Sequence, residues 1–102
     1  MASKKRLAPI HPGEHVKEMM EESGLTMHQL AKALHVSPNR VTSIIHGQRG
    51  ITGETALRLA RYFGTSSEMW INLQAHYDLE VARDAFEAAI LKEVQPREPP
   101  AA

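Results

Sequence analysis

Cysteine is absent from this chain of 102 residues, which excludes a disulfide scaffold, a Cys-based zinc site and a cysteine nucleophile. Long apolar runs are absent too. The longest, Ala88 to Leu91, falls far short of the roughly 20 residues that span a bilayer, so no membrane segment is expected. No apolar stretch follows the basic start Lys4, Lys5 and Arg6; no secretory signal is expected, and a cytoplasmic location fits. A Gly-rich phosphate loop and a nucleophile motif are also missing, and the carboxylates fall mostly on the outer faces of amphipathic segments. Neither catalysis nor a cofactor is expected. Charge of one sign is not in excess either, with 12 Lys and Arg against 12 Asp and Glu.

A net charge of zero argues against binding nucleic acid by bulk attraction alone. The distribution of charge reverses that inference. From Thr26 to Gly64 there are five basic residues (Lys32, Arg40, Arg49, Arg58, Arg61) and one acid, Glu54. From Asp78 to Ala102 six acids face three bases. A locally basic middle can therefore meet phosphate while an acidic end faces elsewhere.

Helix punctuation recurs along the chain, and no segment alternates with period two for long enough to make a strand, so the class is all-α. Pro12 and Gly13 open a first helix in which Val16, Met19 and Met20 share a face and Glu14, Lys17, Glu18 and Glu21 look outward, up to Gly24. Thr26 with Gln29 three residues on is a capping-box pattern, followed by Met27, Leu30, Ala31 and Leu34 at helical spacing. Ser37 and Pro38 start a third helix with the stripe Val41, Ile44 and Ile45, stopped at Gly47. Thr52 caps a fourth, with Ala56, Leu57, Ala60 and Phe63 expected inside, and Gly64 ends it. Ser66 caps a fifth carrying Met69, Trp70, Leu73 and Tyr77. From Asp78 the pattern restarts with Leu79, Ala82, Phe86 and Ala89. The expected organisation is a disordered or extended arm at 1–9, a five-helix domain at 10–77, a helical extension at 78–94 and a disordered tail at 95–102.

The second and third helices, joined by His35, Val36 and Ser37, read as a helix-turn-helix. Ala31 is the small residue where the helices cross, Leu34 and Val36 flank the turn, and Val41 and Ile44 anchor the second helix three residues apart. His35 stands where glycine is usual, so it must accept a left-handed backbone, which His and Asn tolerate better than most residues. An ordinary helical hairpin is the competing reading, and capping at both helix starts weighs against it. A recognition helix reads bases with its first turns. Asn39, Arg40 and Ser43 are the outward positions there, with Thr42 further round; Asn suits adenine and Arg suits guanine. Ser37 is expected to cap and to touch phosphate, and Gln48 and Arg49, with free backbone amides around them, to meet the backbone; a solvated turn is the plainer alternative.

The run IHPGE, the helix-turn-helix, and then GQRGITGETALRLARYFGTSSEMWINLQAHYDLEVA resemble the HigA-type antitoxins, a branch of the phage-repressor-like helix-turn-helix superfamily. The likeness covers Ile10 to about Ala82, and Trp70, Asn72, Leu73 and Gln74 form its most diagnostic stretch. His15 and His35 depart from what the family often places there. The resemblance implies a dimer that represses its own operon and neutralises a HigB-type, ribosome-dependent mRNA endonuclease. A solitary repressor of the same fold, without a toxin, is the alternative.

The remaining features have plainer readings. His11 and His15 are four apart, but Pro12 and Gly13 lie between them and no third ligand is evident, so no metal is expected. A lone Trp on a Met/Leu stripe reads as core or interface rather than a ligand platform. Asn72 and Gln74 are open between bridging to a partner chain and simple solvation. The seam of Leu79, Ala82 and Phe86 must be buried against its own domain or a second copy. Pairing through Trp70, Leu73, Tyr77, Leu79 and Phe86 is the expected dimer contact, since this motif usually reads two half-sites. An RNA-binding toxin is basic, so its inhibitor should offer it acid; Glu14, Glu18 and Glu21 on the first helix are preferred over the segment after Asp78.

Overall fold

The computed structural model describes residues 8–98, which form five α-helices and no strand: α1 Pro12–Glu22, α2 Met27–Leu34, α3 Pro38–Ile45, α4 Gly53–Phe63 and α5 Ser67–Glu93. Four of the five helices begin on a hydroxyl that accepts a hydrogen bond from the amide three residues on: Thr26, Ser37, Thr52 and Ser66. Each hydroxyl satisfies an amide that the helix itself leaves unpaired. Thr26 and Gln29 form the reciprocal capping box, at 3.1 and 2.9 Å. α1 starts differently. Its cap is His11, whose Nδ1 accepts from the Gly13 amide at 2.8 Å. That bond and Tyr77, which meets the imidazole edge-on at 4.8 Å, give His11 a structural task. Burial holds its pKa below the ordinary value, against the opposing fields of Asp78 and Glu14.

One core joins all five helices: Val16 and Met20 from α1, Leu30, Ala31 and Leu34 from α2, Val41, Ile44 and Ile45 from α3, Ile51, then Ala56 and Leu59 from α4 and Trp70 from α5. α2 packs on α3 and α4 on α5, while α1 bridges α3 and α5. Gly13 is required for that bridge: a Cβ there would collide with the Ile44 carbonyl oxygen. Gly47, at φ 75°, turns the chain out of α3 in a conformation that side chains with a Cβ avoid.

Three sequence expectations change here. Leu57 is 64% exposed and Leu59 lies inside instead, because Ala56, Leu59 and Phe63 recur at three and four residues and Leu57 falls off that arc. No break occurs at Asp78: α5 is continuous for 27 residues, since neither glycine nor proline interrupts it. Its stripe changes sides instead. At about 100° per residue Leu79 stands on the face opposite Trp70, so the second seam points away from the body. The third change concerns Trp70, expected at a dimer contact. It is fully buried, and its indole Nε1 donates to Thr65 Oγ1 at 2.8 Å, so it has no surface left for a second copy.

The protruding end of α5 sets the shape. A radius of gyration of 17.9 Å exceeds the roughly 13 Å expected of a rounded domain of 100 residues. Of the expected arm at 1–9 only Ala8 and Pro9 are described, and they have no regular structure; Val94, expected at the end of the helical extension, and residues 95–98 of the expected tail are likewise irregular and exposed. Residues 1–7 and 99–102 lie outside the described residues.

Candidate nucleic-acid interface

α2 and α3 are joined by a three-residue turn whose sharpness comes from His35 in the left-handed region, at φ 59° and ψ 45°. The amides of His35 and Val36 donate to the carbonyls of Lys32 and Ala31, closing the end of α2. Ala31 is buried where the helices meet, and Leu34, Val41 and Ile44 are buried around it, so α3 is anchored by its inner face. Its outer face is turned away from that core.

The side chains on that face are not equivalent. Asn39 is exposed, and Arg40 and Ser43 are half-buried at the rim. Thr42 turns back: its hydroxyl donates to the Pro38 carbonyl at 3.0 Å and lies 3.6 Å from Met27 Sδ, which makes it a helix-packing group more than a reader. Ser37 is committed to its cap, accepting from the Arg40 amide at 3.2 Å.

Gln48 and Arg49 are exposed in the turn after α3. Their amides are not free, contrary to expectation; both donate to the Ser43 carbonyl, at 2.8 and 3.2 Å, and wind α3 to its close. Of the two residues only the side chains project from this turn.

Two groups hold this region in place: Glu54, whose role the sequence did not show, and Gln74, whose role it left open. Glu54, on the first turn of α4, accepts from Arg40 Nη1 at 3.1 Å and from Arg58 Nε and Nη2 at 3.2 and 2.9 Å. Hydrogen bonds first from Arg58 and then from Arg40 hold its carboxyl below the ordinary carboxylate pKa. Arg58 also donates from Nη1 to the Leu34 carbonyl at 3.0 Å, tying α4 to the end of α2. Gln74 is engaged within its own chain: Oε1 accepts from the Ile51 amide at 2.7 Å and Nε2 donates to Asp78 Oδ1 at 2.9 Å. It pins the segment after α3 to α5.

Comparison with known proteins matches this geometry to a family. A helix-turn-helix family model covers residues 16–70. An addiction module antidote protein of a HigA family from Coxiella burnetii is 47% identical, with a TM-score of 0.84 over 89% of this chain and 100% of that one. Antitoxin HigA of Pseudomonas aeruginosa, solved with the higBA promoter, is 43% identical, with a TM-score of 0.85 over 88% of this chain and 99% of that one. The chain belongs to the HigA antitoxin family. Virulence-associated protein I of Dichelobacter nodosus is similar too, 52% identical over 79% of this chain and 76% of that protein.

Two other surfaces of this HigA-family chain bear on partners. Glu14, Glu18, Glu21 and Glu22 are all exposed on α1. On the far half of α5, Leu79 (50% exposed), Phe86 (59%), Ile90 and Leu91 form an apolar strip, whereas Leu73 and Tyr77 are half-buried against the body. Among the described residues no helix is long and apolar enough to cross a membrane.

Proposed function

We propose that this chain is an antitoxin of the HigA type, which binds operator DNA as a homodimer to repress its own operon and neutralises a cognate HigB-type mRNA endonuclease. The observation that carries the reading is the anchored α3. Its inner face is spent on the core while Asn39, Arg40 and Ser43 stand at its outer rim, in a segment where basic residues predominate. The likeness to a HigA solved with its promoter supports the same use of this surface. Asn39 and Arg40 read bases, Ser43 adds a shorter contact, and Ser37, Gln48 and Arg49 position the phosphate backbone. Thr42 contributes least, since its hydroxyl is engaged.

The dimer forms through the far half of α5, with Leu79 and Phe86 at its centre, while Leu73 and Tyr77, turned to the body of their own chain, stay outside it. A helix that turns its second apolar strip away from its own core needs another surface to cover it, and a second copy supplies the two-fold symmetry that paired half-sites need. The toxin docks on the acidic face of α1, at Glu14, Glu18 and Glu21, because a protein that binds RNA is basic and α3 must stay free for DNA. No reaction is catalysed, and the protein works in the cytoplasm.

The test pairs the purified chain with a duplex from the region upstream of its own gene and with the product of the adjacent reading frame. Tighter binding to that duplex than to a scrambled one, and co-purification with the neighbour, are the expected results. DNA preference without a protein partner would turn the assignment to a solitary repressor. Reversing charge at Glu18 and Glu21 should weaken toxin capture and leave DNA affinity nearly unchanged; capture that survives this but is lost on removing the far half of α5 would move the docking site there.

A further inference from the structure

We propose that Glu54 is a positioning residue for sequence discrimination: it sets the Arg40 guanidinium for a base edge and keeps it from being spent on phosphate. This rests on the assignment of α3 as the DNA-reading helix.

Four groups form one chain across three helices. The Leu34 carbonyl, at the end of α2, accepts from Arg58 on α4 at 3.0 Å. The same guanidinium grips Glu54 Oε2 through Nε and Nη2, at 3.2 and 2.9 Å. With that oxygen held, Oε1 is presented to Arg40 Nη1 on α3, at 3.1 Å. The carboxylate is therefore fixed from behind before it touches Arg40. A surface ion pair between two loose side chains orders little, because each loses rotamer freedom to hold the other. Here one partner is already ordered by a fork whose own third contact is a backbone carbonyl, so most of the ordering falls to Arg40.

The geometry also selects which part of Arg40 is used. Arginine carries five N–H donors in a planar fork. Glu54 engages Nη1 and leaves the edge formed by Nε and Nη2, two parallel donors of the kind that match guanine O6 and N7. An arginine without this tether would swing to whichever phosphate is nearest, which adds affinity for every sequence alike. Glu54 opposes that outcome twice. It occupies the guanidinium, and its negative charge, the single acidic one between Thr26 and Gly64, makes this stretch less attractive to phosphate. Exposure agrees with the tether: the Arg40 side chain is 28% exposed, less than Glu54 at 56% or Arg58 at 37%.

The experiment measures binding of the full chain to the upstream duplex and to a scrambled duplex of equal length and salt, for wild type, Glu54→Ala, Glu54→Gln, Arg40→Ala and the Arg40→Ala/Glu54→Ala pair. Glu54→Ala should bind the scrambled duplex several-fold tighter and lose about tenfold in the preference for the upstream one, the scale of a bidentate base contact. Glu54→Gln keeps the shape and one acceptor and should fall between the two; it carries the test if the alanine variant unfolds. In the Arg40→Ala background, removal of Glu54 should still raise affinity for both duplexes but leave the preference unchanged. A preference that survives Glu54→Ala, or that falls equally in the absence of Arg40, overturns the proposal. If the wild-type chain shows no preference at all, the DNA-reading assignment fails and this inference fails with it.

Discussion

The first turns of α5 and its last turns carry apolar residues in similar number but meet opposite surroundings. Trp70 is fully buried and bonded through its indole nitrogen, whereas Phe86, sixteen residues further on the same helix, is 59% exposed. Nothing in the backbone separates them, because α5 is unbroken from Ser67 to Glu93. The difference lies in rotation. Trp70 and Leu73 point at α4 and the core, while Leu79, Phe86 and Ile90 stand on the other side, where no element among the described residues covers them. One helix thus completes a protomer with its first half and offers a surface with its second.

The comparison is broken most severely at Trp70. Trp70→Ala should lower unfolding free energy by about 3 to 5 kcal/mol, the usual cost of emptying a large aromatic site in a closed core. Chemical denaturation reads this directly; an unchanged midpoint would mean that the core does not depend on the helix's first half. Phe86→Ala should do the reverse. It should weaken self-association by about 2 kcal/mol, as loss of an aromatic at the centre of an interface does. At concentrations where the chain is monomeric its stability should shift by no more than about 0.5 kcal/mol. Sedimentation at several concentrations separates the two effects, and a wild-type chain that stays monomeric would refute the role given to this strip.

Effects on DNA come next in size. Arg40→Ala should cost about 1 to 3 kcal/mol and relax preference at one base position, while Arg49→Ala should weaken all sequences alike and reduce the salt slope by about one unit. If both variants behave identically in a salt titration, the division between reading and positioning is wrong. The smallest effect is a pH slope from the joint between α1 and α5. His11 has its pKa lowered by burial, and its Nδ1 must be unprotonated to accept from the Gly13 amide. Below the ordinary value near 6.5 the unfolded chain therefore binds the proton more readily than the folded one. This contribution to stability is in full above that value and is lost as pH falls through the lower folded value. His11→Gln should melt with a flatter dependence on pH between neutral and mildly acidic buffer than the wild type; parallel slopes would remove His11 from this role.

Much of this architecture is local, and the local part could be read in advance. The hydroxyl caps, the Thr26–Gln29 box, proline at the first position of α3 and the terminal Gly64 all act within four residues, so their spacing in the chain is their geometry. The helix-turn-helix was legible for the same reason, including the left-handed His35, because three residues must reverse the chain between two short amphipathic helices. The residues at the candidate interface were legible as a set, but their separate states were not. That Thr42 bonds back to Pro38, and that the amides of Gln48 and Arg49 both go to Ser43, depends on how tightly α3 closes, which no pattern of residue types encodes.

By itself the sequence determined the all-α class, the helix boundaries of the body and the helix-turn-helix, because periodicity and capping are short-range properties. Only the tertiary structure decided that Gln74 reaches the Ile51 amide, that Glu54 joins Arg40 to Arg58, and that Trp70 belongs to the core. Gln74 and Arg40 meet partners on other elements, 23 and 14 residues away. A carboxylate, an amide or an indole has many partners open to it in sequence, and only the packing of one helix against another leaves a single one within reach.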